Sequence, residues 1–284
     1  MRVILVPLSG EANDRAALAA AYHVAQPFRA HITGLFIRPD PVEAIGVFQG
    51  IPPEMVDRVT RAATATWNER AGLARQAFDE ARASADAALA DRPTGTDTVT
   101  ADWREVTGAE DVLLAGHGRL ADLVVFAGVR ADVAAEVKEN FATALFNSAR
   151  PILLVPEQGI EHSPRRIVIA WNGTAEAARA LSGALPLLLN ADRLHILTAA
   201  TPRTRVESGA ALAEYLGWHG LIGEVHPMYP DDEVGPALLA RANELEADLL
   251  VMGGYGRSRM RERIFGGVTQ HVLDHHDIPV LIAH

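Results

Sequence analysis

Three glycines, at positions 253, 256 and 266, form a G-x2-G-x9-G pattern directly after an apolar run that reads as a strand. Glycine has no side chain, so backbone N–H groups in such a loop can approach an anion closely. Gly267, Val268 and Thr269 then begin a predicted helix whose free N–H groups and positive dipole end face the same place. The spacing therefore predicts a phosphate cradle built from backbone.

This cradle contains no lysine, since Lys138 is the single lysine of the chain and no glycine loop precedes it. P-loop enzymes and protein kinases place a lysine on the phosphates within a defined motif, so both classes are excluded. The absence of cysteine excludes thiolate zinc sites, cysteine nucleophiles and disulfides. No serine lies in a nucleophile elbow. These residues favour binding over catalysis.

Two other groups near the loop carry weaker signals. Arginines alternate through it at positions 257, 259, 261 and 263, where each either contacts phosphate or forms part of a solvated basic loop. His271 and His275 are four residues apart on the last predicted helix, a spacing that can hold a metal. Cationic residues are common at a helix C-terminus and no H-E-x-x-H pattern surrounds these two, so we predict no metal site.

Composition limits the partners and the compartment. A formal net charge of −10 opposes binding to a polyphosphate backbone, so we expect no nucleic-acid partner. The apolar run at residues 3–7 is too short for a signal peptide or a membrane span, which needs roughly 20 residues. We expect a cytoplasmic protein without a membrane partner.

The elements that position the loop occur twice along the chain. Residues 121–128 recur as 247–254, residues 151–155 as 279–283, and residues 2–6 as 166–170, in the same order. Short apolar strands alternate with helices in each half, which predicts parallel sheets with right-handed crossovers. The fold class is α/β, with two tandem doubly wound, Rossmann-like or flavodoxin-like domains of five parallel strands each.

The domain boundaries follow from the repeat. We predict a first domain over residues 1–157 and a second over 164–284, joined by a linker that begins and ends in proline. Between its second and third strands the first half has an insertion of residues ~40–95, which reads as a Pro/Gly-rich stretch and then one or two helices. Its role stays open between a lid, an interface element and padding on an apolar face.

A strand, the G-x2-G-x9-G loop, a helix and a final strand together resemble the universal stress protein family, and the resemblance covers nearly the whole chain apart from the insertion. It implies that an adenine nucleotide binds with its phosphates and ribose on the loop and its adenine beside the first two strands of the second half. The matching positions are Ala170, Trp171, Asn172, Leu197, Thr198, Met252, Gly253, Tyr255, Gly256, Gly266, Gly267, Val268 and Thr269. The resemblance also implies pairing of the two halves through their final strands as an intrachain pseudo-dimer, with a homodimer left open.

Two positions depart from the family pattern. Gly267 stands where the family usually has Ser or Thr, and Asn172 stands where it often has Asp. Asn cannot add charge to a phosphate-bound metal as a carboxylate would, so Mg²⁺ is left open as a cofactor, as is the choice among ATP, ADP and AMP.

The sequence thus predicts a regulatory nucleotide-binding stress protein with one site per chain. The first half has no glycine between Ala131 and Arg150, and residues 131–140 carry three acidic residues against one lysine where residues 257–263 carry four arginines against one glutamate. Two alternatives stay open, a slow ATPase or nucleotide hydrolase and an interaction scaffold without nucleotide.

Overall fold

The chain forms one continuous sheet with helices on both faces. This computed structural model describes residues 1–40, 53–93, 95, 97–129, 135–199, 208–230, 233–254 and 267–284. The strands are β1 Val3–Leu8, β2 His31–Arg38, β3 Ala88–Leu89, β4 Thr100–Thr107, β5 Leu123–Ala127, β6 Ile152–Val155, β7 Arg166–Ala170, β8 Arg193–Ala199, β9 Gly223–Met228, β10 Leu249–Gly253 and β11 Val280–Ala283. The helices are α1 Asp14–Ala25, α2 Pro53–Ser84, α3 Glu110–Arg119, α4 Ala135–Asn147, α5 Ala175–Leu188, α6 Ser208–Trp218, α7 Val234–Glu244 and α8 Gly267–His275, and a 3-10 turn spans Gln26–Phe28.

The order of the strands confirms the predicted α/β class. It is β3-β4-β2-β1-β5-β6-β11-β10-β7-β8-β9, and each half is doubly wound, because β1 lies between β2 and β5 and β7 lies between β8 and β10. Pairing is parallel within both halves. The second half has the expected five strands, whereas the first gains the two-residue β3 at its edge.

The two halves join through their final strands, as the sequence predicted. Strands β6 and β11 pair antiparallel, with Ile282 opposite Ile152, Leu281 opposite Leu153 and Val280 opposite Leu154. All of these side chains are completely buried. An apolar edge that each half would otherwise expose is thus covered by the other half.

The apolar runs become strands because both faces of the sheet are covered. Helices α1, α2, α5 and α6 supply one core, and α3, α4, α7 and α8 supply the other. Successive strand residues enter opposite cores, so a nearly continuous Val/Ile/Leu run is buried along its whole length.

Helix α2 lies within the insertion. It runs for 32 residues as one helix, and its Phe78 lies against Gly34 of β2, where an added Cβ would come within 2.6 Å of the ring. The Arg75 guanidinium lies 5.4 Å from the centre of the Trp103 ring. The insertion therefore covers one face of the first half.

Two equivalent aspartates fix how the halves correspond. The carboxylate of Asp122 accepts hydrogen bonds from the backbone N–H groups of Arg2 and Val3, and Asp248 accepts them from Arg165 and Arg166. Val3 thus corresponds to Arg166, so the sequence match of residues 2–6 with 166–170 is wrong by one residue.

Within the part of the chain that the structure describes, no helix has the length and apolar character needed to cross a membrane.

Candidate functional site

The strand order of the second half reverses between β7 and β10, and the edge formed by the carboxyl ends of these strands is called the crevice below. Ala170 at the end of β7 lies opposite Met252 of β10 on one side and Leu197 of β8 on the other. Met252 and Leu197 are buried, and both belong to the core under α7 and α8. In doubly wound sheets ligands bind at this reversal point, because the helices leave the two central strands in opposite directions there.

Gly253 brings the end of β10 into direct contact with the first turn of α5. A Cβ at this position would lie 2.5 Å from the backbone nitrogen of Ala177 and 2.7 Å from the carbonyl carbon of Glu176. Such distances are sterically forbidden, so only glycine permits this approach. The first turn and positive dipole end of α5 consequently lie at the end of β10.

Asn172 and Thr174 shape the turn that leads into α5. The Thr174 hydroxyl accepts a hydrogen bond of 3.3 Å from the Ala177 N–H and so caps the helix. Asn172 Oδ1 accepts hydrogen bonds from the Thr174 N–H at 3.2 Å and from its hydroxyl at 2.9 Å. Because its carbonyl oxygen is engaged in the turn, Asn172 has its amide N–H groups to offer to a ligand.

Helix α8 begins at the same edge of the sheet. Gly267 is exposed, and a Cβ placed there would meet no atom within 4 Å. Val268 is half-buried and Thr269 is buried. The first turn of α8 therefore offers backbone N–H groups beside open space at Gly267.

Two of the predicted contact residues have side chains in the core that lies under α5 and α6. The Thr198 side chain is completely buried, with its hydroxyl 2.7 Å from where a Cβ would stand on Gly209 of α6. Trp171 is half-buried and lies against the same core. Neither side chain is on the face of the sheet that carries Leu197 and Met252.

The central part of the predicted cradle lies outside the described residues. This applies to Tyr255, Gly256 and Gly266 and to the four arginines between positions 257 and 263. Their contacts with a phosphate stay predictions.

The equivalent edge of the first half is closed by the insertion. Arg70 of α2 donates a hydrogen bond of 2.7 Å to the Ser9 carbonyl oxygen and makes two bonds of 3.1 Å to the Glu136 carboxylate. Its own carbonyl oxygen would lie 2.5 Å from a Cβ on Gly10, whose φ is +82°. Ser9 and Gly10 correspond to Asn172 and Gly173, so α2 crosses the place where a ligand of the first half would lie.

The remaining space at this edge of the first half is lined in part by buried or half-buried acidic side chains. A cavity of about 30 Å³, enough for one or two water molecules, is lined by Leu8, Asp14, Glu110 and Phe126 among others. Burial raises the pKa of Asp14 to about 6 against the lowering effect of hydrogen bonds from Ser9 and Gly10, and burial raises the pKa of Glu110. Both groups disfavour a phosphate at this position.

Sequence reasoning missed Thr174 and Arg70. Thr174 stands directly before a helix and has a glutamate two residues on, so its capping role had a local signal. Arg70 had none, because its contacts with Ser9 and Glu136 span more than 60 positions of the chain.

The fold and the crevice define a class of protein, a tandem pair of doubly wound domains joined through their last strands. Residues 223–284 match the model of the universal stress protein family, and this segment includes β10, the glycine loop and α8. This match confirms, over these residues, the family resemblance inferred from the sequence. Among curated proteins, none matches the chain in sequence.

Solved structures share the architecture. A universal stress protein from Archaeoglobus fulgidus DSM 4304 is 16% identical, with 99% of this chain and 97% of that one covered and a TM-score of 0.68. A putative universal stress protein from Pseudomonas aeruginosa UCBPP-PA14 is 15% identical, with 100% and 93% covered and a TM-score of 0.53. A shorter Archaeoglobus fulgidus universal stress protein, solved in complex with dAMP, is 24% identical over 42% of this chain and 98% of its own, with a TM-score of 0.31. At these identities the likeness to the first two structures establishes the fold alone.

Proposed function

We propose that this chain is a stress protein that binds one adenine nucleotide at the crevice of its second half and uses the bound nucleotide as a signal rather than as a substrate. The observation that carries the proposal is the contact of Gly253 with the first turn of α5. It leaves two helix N-termini, those of α5 and α8, at the edge where the glycine loop begins. Backbone N–H groups and helix dipoles are what a lysine-free site can offer to a phosphate.

The apolar wall of the crevice supports a base as the second part of the ligand. Leu197 and Met252 are buried on the same face of the sheet and are bridged by Ala170 between them. Ala170 is half-buried between them and offers apolar surface that a flat aromatic base can cover, while the polar edge of the base can hydrogen-bond to backbone. The Trp171 and Thr198 side chains lie on the other face, so we assign them backbone contacts with the nucleotide.

Magnesium does not fit the described residues well. Asn172 brings no negative charge, and its carbonyl oxygen already accepts two hydrogen bonds from Thr174. Mg²⁺ bound with a nucleotide prefers one or two protein carboxylates. We therefore expect binding in the absence of Mg²⁺, with little preference for the triphosphate.

The asymmetry of the two halves supports a single site. Arg70 of α2 covers the equivalent edge of the first half, and the cavity beneath it is acidic and has room for only one or two waters. Calorimetric titration of the full chain with ATP, ADP and AMP, each with Mg²⁺ and with EDTA, is expected to give one site per chain under both conditions. Two sites per chain, or none at millimolar nucleotide, would contradict the proposal.

The signalling role has its own test. The purified chain is incubated with ATP under single-turnover conditions, and the nucleotide is analysed over hours. We expect no release of ADP above the rate in buffer alone, and turnover that disappears when Gly256 is replaced by valine would make the chain an ATPase instead.

A further inference from the structure

Two histidines and a glutamate meet on neighbouring strands away from the crevice. His195 of β8 lies opposite Glu224 of β9, and His226 follows two residues later on the same face of β9. His195 is buried and His226 is half-buried, whereas the Glu224 side chain is 69% exposed. Within the described part of the chain, no other three His, Asp or Glu side chains bring their ligand atoms so close together.

The distances between these atoms are those of a metal site. His195 Nδ1 lies 3.0 Å from His226 Nε2, and the Glu224 carboxylate lies 3.6 Å from the first atom and 3.7 Å from the second. In tetrahedral zinc sites with bonds of about 2.0–2.2 Å, neighbouring ligand atoms are about 3.3–3.6 Å apart. The exposed Glu224 carboxylate is already near this distance, and the two imidazole nitrogens, now at hydrogen-bond distance, must separate by about 0.3 Å to admit an ion.

The equivalent positions of the first half carry a different set of side chains, one of which is an arginine. Strand pairing places Thr33 and Asp102 where the second half has His195 and Glu224, and it places Arg104 where the second half has His226. Arg104 Nε donates to Asp102 at 2.7 Å. Burial raises the pKa of Asp102, but hydrogen bonds from His31, Thr33 and Arg104 outweigh it and lower the pKa to about 2. The first-half carboxylate thus has a cation of its own.

We propose that His195, Glu224 and His226 bind a divalent transition-metal ion, with Zn²⁺ as the best match. Two imidazole nitrogens and one carboxylate are a common zinc ligand set, and three protein ligands leave a fourth position for water. The absence of cysteine means that no thiolate competes for the ion. The ion supplies the positive charge that Arg104 supplies in the first half.

The Arg241 guanidinium of α7 lies beside the proposed site and disfavours a bound cation. One of its guanidinium nitrogens lies 3.3 Å from His226 Nδ1, and the other is 2.7 Å from the Glu244 carboxylate. When His226 Nε2 binds a metal, Nδ1 carries the proton and should face an acceptor, but the guanidinium offers only donors. Arg241 must therefore turn toward Glu244, and its removal should strengthen metal binding.

The test uses the tag-free, EDTA-treated full chain, titrated with ZnCl₂ by calorimetry and with CoCl₂ by visible absorption. We expect one Zn²⁺ per chain and the strong visible bands of low-coordinate Co²⁺. Glu224→Gln and His226→Gln should each weaken Zn²⁺ by about tenfold or more, and Arg241→Gln should tighten it several-fold. Circular dichroism checks that each variant is folded.

A double variant, His271→Ala with His275→Ala, is the matched control. These rings stack on α8 with their centres 4.2 Å apart, so they are the competing histidine pair. Zn²⁺ binding should be unchanged in this variant. The proposal is overturned if the control variant loses Zn²⁺ binding, if Glu224→Gln and His226→Gln bind Zn²⁺ as tightly as the wild-type chain, or if the wild-type chain binds none.

Discussion

Replacing Gly267 with serine tests whether a phosphate lies at the start of α8. The position is exposed and a Cβ there meets no atom within 4 Å, so the substitution leaves the fold undisturbed. A serine hydroxyl donating to a phosphate forms a charge-assisted hydrogen bond, whose net value is about 1.5 kcal/mol. Fixing the side chain costs part of this, so we expect a gain of about 1 kcal/mol, or roughly fivefold tighter binding.

Two matched variants isolate the cause. Gly267→Ala adds a Cβ without a donor and should leave the affinity close to that of wild type. Gly267→Glu places a negative charge near the phosphates and should weaken binding by about tenfold or more, less so at high salt. The assay is isothermal titration calorimetry with ADP and AMP at two salt concentrations.

The reasoning fails if serine, alanine and glutamate variants all bind like wild type, because a phosphate on the α8 N-terminus could not ignore a carboxylate there. The reasoning also fails if Gly267→Glu weakens the binding of adenosine and of ADP to the same extent. In that case the loss would come from a disturbed pocket rather than from charge.

Three other changes test separate parts of the structure. Thr198→Val should raise the free energy of unfolding by about 1 kcal/mol, because the buried hydroxyl has no hydrogen-bond partner among the described residues, and calorimetry should show unchanged nucleotide affinity. In the wild-type chain, the free energy of unfolding measured in urea should rise as the pH falls from 7 to 4, and Asp14→Asn should reduce this rise. The pKa of Asp14 is raised to about 6 from 3.8, so protonation favours the folded state by up to about 3 kcal/mol, present below pH 4 and lost as the pH rises through 6. Arg70→Ala should lower the free energy of unfolding by about 2 kcal/mol, because it removes the bonds to Glu136 and the Ser9 carbonyl, while calorimetry still gives one nucleotide per chain.

Much of the fold could be predicted from the sequence because its signals are local or repeated. Apolar strands alternating with helices fix the α/β class, and the recurrence of Ala121-Asp122-Leu123 as Ala247-Asp248-Leu249 fixes the repeat. The register of the first strands was missed by one residue, since an apolar run buried on both faces looks alike at every offset. Hydrogen bonds of Asp122 and Asp248 to the neighbouring strand set that register, and such bonds are visible only in three dimensions.

One part of the candidate site could likewise be predicted from the sequence, and another part could not. The glycine pattern after β10 is contiguous, so sequence alone could point to it. The role of the insertion could not be read in this way, because the contact of Arg70 with Ser9 depends on the path of a long helix across the sheet edge. His195 and His226 are separated by 31 positions and meet only through the pairing of β8 with β9. Glu224 and His226 are two residues apart on one strand, which is a local signal, but His195 joins them only through this strand pairing.

The two halves therefore share an architecture but differ at the carboxyl edge of their sheets. In the first half, Gly10 permits α2 to cross the end of β1, and Arg70 fixes the helix there through Glu136. In the second half, Gly253 instead admits the first turn of α5 and leaves the edge facing the glycine loop. Because β6 and β11 make one sheet of both halves, each half covers the apolar edge of the other, whether or not it has space for a ligand. The first half therefore stabilises the second even though α2 covers its own carboxyl edge.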